Sequence, residues 1–337
     1  MPKLKVAIVG YGQIGPVHAQ AYSNIEDVEI ACIVDLDEER AKKAQQDYNI
    51  PRRLTSYDEM LKMDDIDIVS VCIPTYLHAD LTIKAAKAGK HVFCEKPMAM
   101  KLEDADAMIE ACDKAGVKLG LGFCRRFDGE WLKLRELVQQ NAVGKPMVWR
   151  HMTAGEGAPT PWFFDKDLGG GPFMDGAVHN YDFGRYMFGE VKEVKADLHR
   201  LRSNTTAFDT GTVILYFESG NKSVLHWSWG LPRGSHGCYM HDIIGPEGAI
   251  LFNNPAKDPL VVDDEKHGAL YISKANREVI AVQYEKTRMY EEELRHFVNC
   301  IIQDKKPAVG GEEGFEALKI ALAVLKAGET GEVVKIS

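Results

Sequence analysis

Val6-Ala7-Ile8-Val9 runs without a break into Gly10-Tyr11-Gly12-Gln13-Ile14-Gly15, and the segment that follows has helical character. A glycine run between a strand and a helix restricts the fold sharply. Gly10 permits the tight turn, Gly12 lets backbone N–H groups approach a bound pyrophosphate, and Gly15 lets helix and strand pack closely. Gln13 and Ile14 complete the loop, and the helix N-terminus adds a positive dipole end that favours phosphate. About 20 residues past Gly15 the second strand ends at Val34-Asp35, where a carboxylate can accept hydrogen bonds from both hydroxyls of an adenine ribose. That carboxylate repels a 2′-phosphate, and Asp37, Glu38 and Glu39 add to its field, so the pattern favours NAD; Arg40 is the nearest cation for the less favoured NADP. An N-cap for the helix near Glu38 is the competing structural reading of Asp35.

The first 120 or so residues alternate short apolar runs with amphipathic segments, the grammar of crossover helices covering both faces of a parallel sheet. Strands are expected at 5–9, 29–34, 68–73, 91–94 and 118–122, with helices at 14–24, 38–48, 79–88 and 103–115, which makes a doubly wound α/β fold. Ligands of such sheets sit beyond the carboxyl ends of the strands. Pro74, Thr75 and His78 at one such end, and Glu95-Lys96-Pro97 at the next, are therefore expected beside the cofactor. His78 has two readings, a cofactor contact or a packing and capping residue. Pro97 biases Lys96 toward extended backbone and aims its ammonium at the crevice.

After about residue 125 the pattern changes. A helix at 127–141 is followed by strand-like runs at 194–198, 212–217, 223–229 and 239–244 without helices between them, the spacing of an antiparallel sheet; two helices, 291–303 and 312–327, close the chain. Leu225, Trp227 and Trp229 alternate with His226 and Ser228, giving a strongly apolar face to be covered by helices or by another subunit. A chain of 337 residues has room for about two domains. Its net charge of -9 repels phosphate backbones and anionic lipid, so neither nucleic acid nor membrane is an expected partner. The N-terminus lacks the pattern of a secretory signal. Seven scattered cysteines with no C-x-x-C pair read as reduced, mostly buried thiols of a cytoplasmic protein.

A second cluster runs from Gly169-Gly170-Gly171-Pro172 to Asp175 and His179. With Pro172 in the first turn of a helix, Asp175 and His179 stand i and i+4 on one face; at that spacing a surface ion pair is the alternative. Upstream, the loop 159–167 offers Trp162 as an apolar plate and Asp165 as a hydrogen-bonding carboxylate for a bound ligand, unless the loop only packs between domains. Arg125 and Arg126 end the sixth strand, one as a substrate or cofactor contact, the other as a partner for local carboxylates. His236, Cys238 and His241 are metal-ligand types, but strand alternation separates them, so no metal site is expected.

Together the glycine loop, Asp35, Pro74-Thr75 with His78, Glu95-Lys96-Pro97, Gly122-Phe123 with Arg125-Arg126-Phe127, and the glycine run leading to Asp175 and His179 resemble the glucose-fructose oxidoreductase/inositol dehydrogenase (Gfo/Idh/MocA) family over nearly the whole chain. The resemblance implies an N-terminal Rossmann domain, 1–123, and a C-terminal α+β domain, 124–337, whose large open, mainly antiparallel sheet serves homodimer or homotetramer contacts. It implies NAD(P)-linked oxidation or reduction of a sugar or cyclitol, with Lys96, Asp175 and His179 as the catalytic triad. His179, whose type titrates near 6.5, is the natural base. Lys96 stabilises developing alkoxide charge and Asp175 orients the imidazole or a neighbouring hydroxyl, although Lys96 and His179 can exchange roles. Lys96, Arg125, Trp162, Asp165, Asp175 and His179 are the candidate substrate contacts. Two other activities remain open: an NAD-dependent glycosidase working by transient oxidation and elimination, and a non-catalytic sugar or dinucleotide sensor.

Overall fold

The computed structural model describes residues 2–255 and 263–336. The first part alternates β1 (Leu4–Val9), α1 (Gly15–Ser23), β2 (Val28–Val34), α2 (Glu38–Tyr48), β3 (Arg52–Leu54), α3 (Tyr57–Leu61), β4 (Ile68–Val71), α4 (His78–Lys87), β5 (His91–Cys94), α5 (Leu102–Ala115) and β6 (Leu119–Leu121). The six strands form one parallel sheet in the order β3-β2-β1-β4-β5-β6. Val6, Ile8, Ile33, Ile68, Val69 and Val92 are fully buried, as strands covered on both faces require. The order reverses between β1 and β4, the switch point where such sheets open a crevice. Short β3 and α3 were not legible in the sequence; Ser56 starts α3 by accepting from the Glu59 amide, as Asp37 starts α2 by accepting from the Glu39 and Arg40 amides.

The second part holds α6 (Gly129–Gln139), β7 (Val148–Ala154), α7 (Val178–Phe188), β8 (Val191–His199), β9 (Thr210–Phe217), β10 (Lys222–Ser228), β11 (Cys238–Gly245), β12 (Gly248–Leu251), β13 (His267–Ser273) and β14 (Val279–Glu285), then α8 (Met289–Ile302), α9 (Gly311–Thr330) and β15 (Val334–Lys335). Nine strands form a sheet ordered β14-β13-β12-β11-β7-β10-β9-β8-β15, antiparallel except for the parallel pair β7 and β10. Along β9 burial alternates residue by residue, with Val213, Leu215 and Phe217 turned inward. Helices cover that face: Phe188 of α7 meets Phe217 edge-on at 5.2 Å, and Trp131 of α6 meets Trp149 of β7 at 5.9 Å. Strands β7, β12, β13 and β14 were missing from the sequence reading. Strand β10 ends at Ser228, one residue short of the expected Trp229, whose amide still donates to the Asp209 carbonyl at 2.7 Å.

Two compact units result, Met1–Cys124 with Arg288–Leu318, and Arg125–Thr287 with Lys319–Ser337. The division at 123/124 read from the sequence therefore needs a correction at 288–318. Leu294, Phe297 and Val298 of α8 are buried in one core with Val6, Ile8, Tyr22 and Phe93, and burying them there is what recruits the segment to the first unit. Gly120 makes the room, since a Cβ on it would stand 2.6 Å from the Phe297 ring.

Candidate functional site

The glycine loop between β1 and α1 is tight on two sides and open on the third. Gly10 has φ +95, and a Cβ there would lie 2.4 Å from the Cys72 carbonyl oxygen; one on Gly15 would lie 2.1 Å from the Gly10 carbonyl oxygen. A Cβ on Gly12 would meet nothing within 4 Å, and Gly12 and Gln13 are exposed. Asp35 is tied into the same loop. Its Oδ2 accepts from the Tyr11 amide at 2.7 Å, and its Oδ1 accepts from the Asp37 amide at 2.8 Å and from the Arg40 guanidinium at 2.9 Å. An open glycine edge at a helix N-terminus, with a carboxylate at the end of the next strand, fits a dinucleotide: Gly10 to Gly15 would hold the pyrophosphate and Asp35 a ribose.

Beyond β4 and β5, Thr75 and Glu95 are buried while Lys96 is half-buried, and the Lys96–Pro97 peptide is cis. His78 is buried with Nδ1 2.8 Å from the Pro97 carbonyl oxygen and Nε2 2.8 Å from the Ile73 carbonyl oxygen. Burial pushes this imidazole below its ordinary pKa. Its ring thus ties together the loops that follow β4 and β5. Glu95 accepts from His18 of α1, a partner that no motif spacing had marked.

On the second unit the approach to His179 differs from the expected helix. α7 starts at Val178, and Pro172 to Ala177 form turns: the Asp175 amide donates to the Gly171 carbonyl, while the Gly176 and Ala177 amides both donate to Pro172. Asp175 and His179 therefore do not share one continuous α-helix. The Ala177 amide reaches five residues back to the Pro172 carbonyl, which interrupts the regular helical ladder, and Gly176 lets the Trp227 ring approach closely, since a Cβ there would stand 2.8 Å from it. Asp175 is buried and His179 half-buried.

The two arginines separate in role. Arg126 forms a two-pronged ion pair with buried Asp182 at 2.9 and 2.6 Å, whereas the Arg125 guanidinium lies over the Trp131 ring at 4.5 Å. Trp162 stacks on Phe163 with 3.7 Å between ring centroids. The Asp165 carboxylate accepts from the Asp167 amide and its carbonyl from the Gly169 and Gly170 amides, so this residue shapes the loop leading to the glycine run.

A polar group on β7 had escaped the sequence reading. His151 is fully buried, stacked on Trp227 at 5.3 Å and flanked by Trp149, Tyr239 and His241, with no hydrogen-bond partner for either ring nitrogen among the described residues. Burial pushes its pKa down to about 3 and that of His241 to about 2, so both imidazoles are neutral. The available signal was β7 itself, whose alternation puts Trp149 and His151 on one face. Among the described residues no three His, Cys, Asp or Glu side chains gather to hold a metal ion, and no helix is long and apolar enough to cross a membrane.

Residues 4–123 match the model of an oxidoreductase family with an NAD-binding Rossmann fold, and residues 131–251 match the GFO/IDH/MocA C-terminal domain. The chain is 34% identical to myo-inositol 2-dehydrogenase of Thermotoga maritima, over 99% of this chain and 98% of that protein. It is 28% identical to the NAD(+)-dependent scyllo-inositol 2-dehydrogenase of Bacillus subtilis, over 99% and 96%. Among solved structures, aldose-aldose oxidoreductase from Caulobacter crescentus, complexed with glycerol, superposes with a TM-score of 0.85 at 28% identity, covering 99% of this chain and 100% of that one. With a dinucleotide cradle on the first unit, and both parts matched in order, this chain belongs to the GFO/IDH/MocA family of NAD-binding oxidoreductases.

Proposed function

We propose that the protein is an NAD-dependent dehydrogenase that oxidises a secondary hydroxyl of a cyclitol, a sugar or a sugar derivative. The observation that carries this reading is the Lys96, Asp175 and His179 set in a chain that aligns from end to end with an inositol dehydrogenase. Bound NAD supplies the hydride acceptor. The Gly10–Gly15 loop and Asp35 would hold it, with Pro74, Thr75, Glu95 and Lys96 as further cofactor contacts and His78 supporting the loops that carry them. His179 takes the hydroxyl proton, Lys96 offers positive charge to the oxygen that loses it, and Asp175 orients the imidazole or a neighbouring hydroxyl. Arg125, Trp162 and Asp165 are the proposed further substrate contacts.

The seven thiols are all free and six are buried, which suits a reducing compartment such as the cytoplasm. The proposed assembly is a homodimer or homotetramer through the large sheet. Purified protein with NAD or NADP and a panel of inositols, aldoses, anhydrosugars and glycosides, followed at 340 nm, tests the reading. NADH formed with one polyol and lost in Lys96→Ala supports it; aglycone release without net NADH, or no turnover with any compound, counts against it.

A further inference from the structure

We propose that His18 and Glu95 are positioning residues for Lys96, acting through a buried hydrogen-bonded chain from Ser70 through His18 and Glu95 to the Lys96 amide. The proposal rests on the reading of Lys96 as the charged partner of the reacting oxygen. His18 lies in the first turns of α1 and is fully buried. Its Nδ1 is 2.8 Å from Ser70 Oγ on β4, and its Nε2 is 2.9 Å from Glu95 Oε1. The other carboxylate oxygen, Oε2, accepts from the Lys96 amide at 3.2 Å. Three elements are joined in this way, and the chain ends on the backbone of the residue whose ammonium the reaction needs.

The surroundings are built for this carboxylate. Gly122 leaves it room, since a Cβ there would stand 2.7 Å from Glu95 Oε1. Phe93 packs edge-on against the His18 ring at 5.6 Å and Tyr22 at 6.3 Å, which restricts its rotation. Burial opposes charge on both partners, yet the Cys72 sulfur and Glu95 hold the His18 imidazole well above its ordinary pKa, and His18 and then Lys96 hold the Glu95 carboxyl below its own. On the far side of Lys96 the Pro97 carbonyl faces His78. The Lys96 backbone therefore stands between the Glu95 carboxylate, which His18 holds, and the Pro97 carbonyl, which His78 faces. A buried ion pair replaced by apolar side chains of similar volume often leaves stability unchanged, so stability alone does not call for one here. Holding a particular geometry at Lys96 is what the polar chain adds.

That contrast supplies the test. Replacing both partners by apolar groups of similar volume, His18→Leu with Glu95→Met, removes the chain while leaving no orphaned charge. Expected is a folded protein with kcat lowered at least tenfold and the acetic anhydride labelling of Lys96, referenced to exposed Lys101 by peptide mass spectrometry, changed at least threefold. A pair that only stabilises the fold would keep kcat and Lys96 labelling within twofold of wild type once the double variant is stable, and that result overturns the proposal. Should the double variant not fold, Ser70→Ala trims one hydroxyl from the far end: a threefold or larger loss of kcat with altered Lys96 labelling is expected, and no change in either overturns the proposal. Labelling is read without turnover. A wild-type protein inactive on the polyol panel therefore sinks the dehydrogenase reading, while the labelling still decides whether this chain positions Lys96.

Discussion

Glu293 of α8 is buried with neither carboxyl oxygen hydrogen-bonded among the described residues. Burial, and then the nearby Glu95 carboxylate, push its carboxyl well above the ordinary range, so of the two acids Glu95 keeps the charge and Glu293 the proton. The native state binds a proton that the unfolded chain has released, and the contribution to stability is full below the unfolded pKa and lost as pH rises. Glu293→Gln should therefore raise the Tm by a larger margin at pH 8 than at pH 5; equal margins in a thermal melt would contradict the assignment. Lys96→Ala and His179→Ala should each lower kcat by about 10²–10⁴-fold while the NAD dissociation constant stays within a few-fold. Loss of NAD binding would instead assign them chiefly to holding the cofactor. Asp35→Ser should narrow the preference for NAD over NADP, with Arg40 left to pair a 2′-phosphate, as the ratio of kcat/KM for the two cofactors would report.

Between strand β1 and helix α1 the glycines divide into two kinds. Gly10 and Gly15 are closed in by backbone, and a side chain at either collides with a carbonyl oxygen. Gly12 faces open space. Gly12→Ala should thus leave the Tm within about 1 °C of wild type yet weaken NAD binding at least tenfold, since the methyl would stand where backbone must approach the pyrophosphate; unchanged affinity would move the pyrophosphate off this edge. This element was legible because its signal is local, a strand, a turn and a helix start within 20 residues. Asp175 was legible as a residue but not in its conformation. Gly176 before α7 is approached by the Trp227 ring, about 50 positions away on β10, and no local pattern carries that contact.

At the scale of the whole molecule, the large sheet carries Met152 on β7 and Met240 on β11 as register partners, both exposed, with His226 of β10 beside Met152. A patch of adjacent exposed methionines on a sheet face suits a subunit contact. The proposed assembly predicts that Met152→Glu with Met240→Glu lowers the mass measured by light scattering on a sizing column toward that of one chain. An unchanged mass would exclude this face. The doubly wound sheet could be read from the sequence because its strands other than β3 are short apolar runs alternating with helices, and both signals depend on neighbours within a few residues. The separate contribution of 288–318 could not, since a helix pattern does not say which core will bury it. The residues themselves determined the glycine loop, the carboxylate at Asp35 and the presence of Lys96, Asp175 and His179. Only the tertiary structure decided that Glu95 would meet His18 across 77 positions, that His18 would meet Ser70 across 52, and that His151 would be buried among aromatic rings, because such contacts are set by packing between elements.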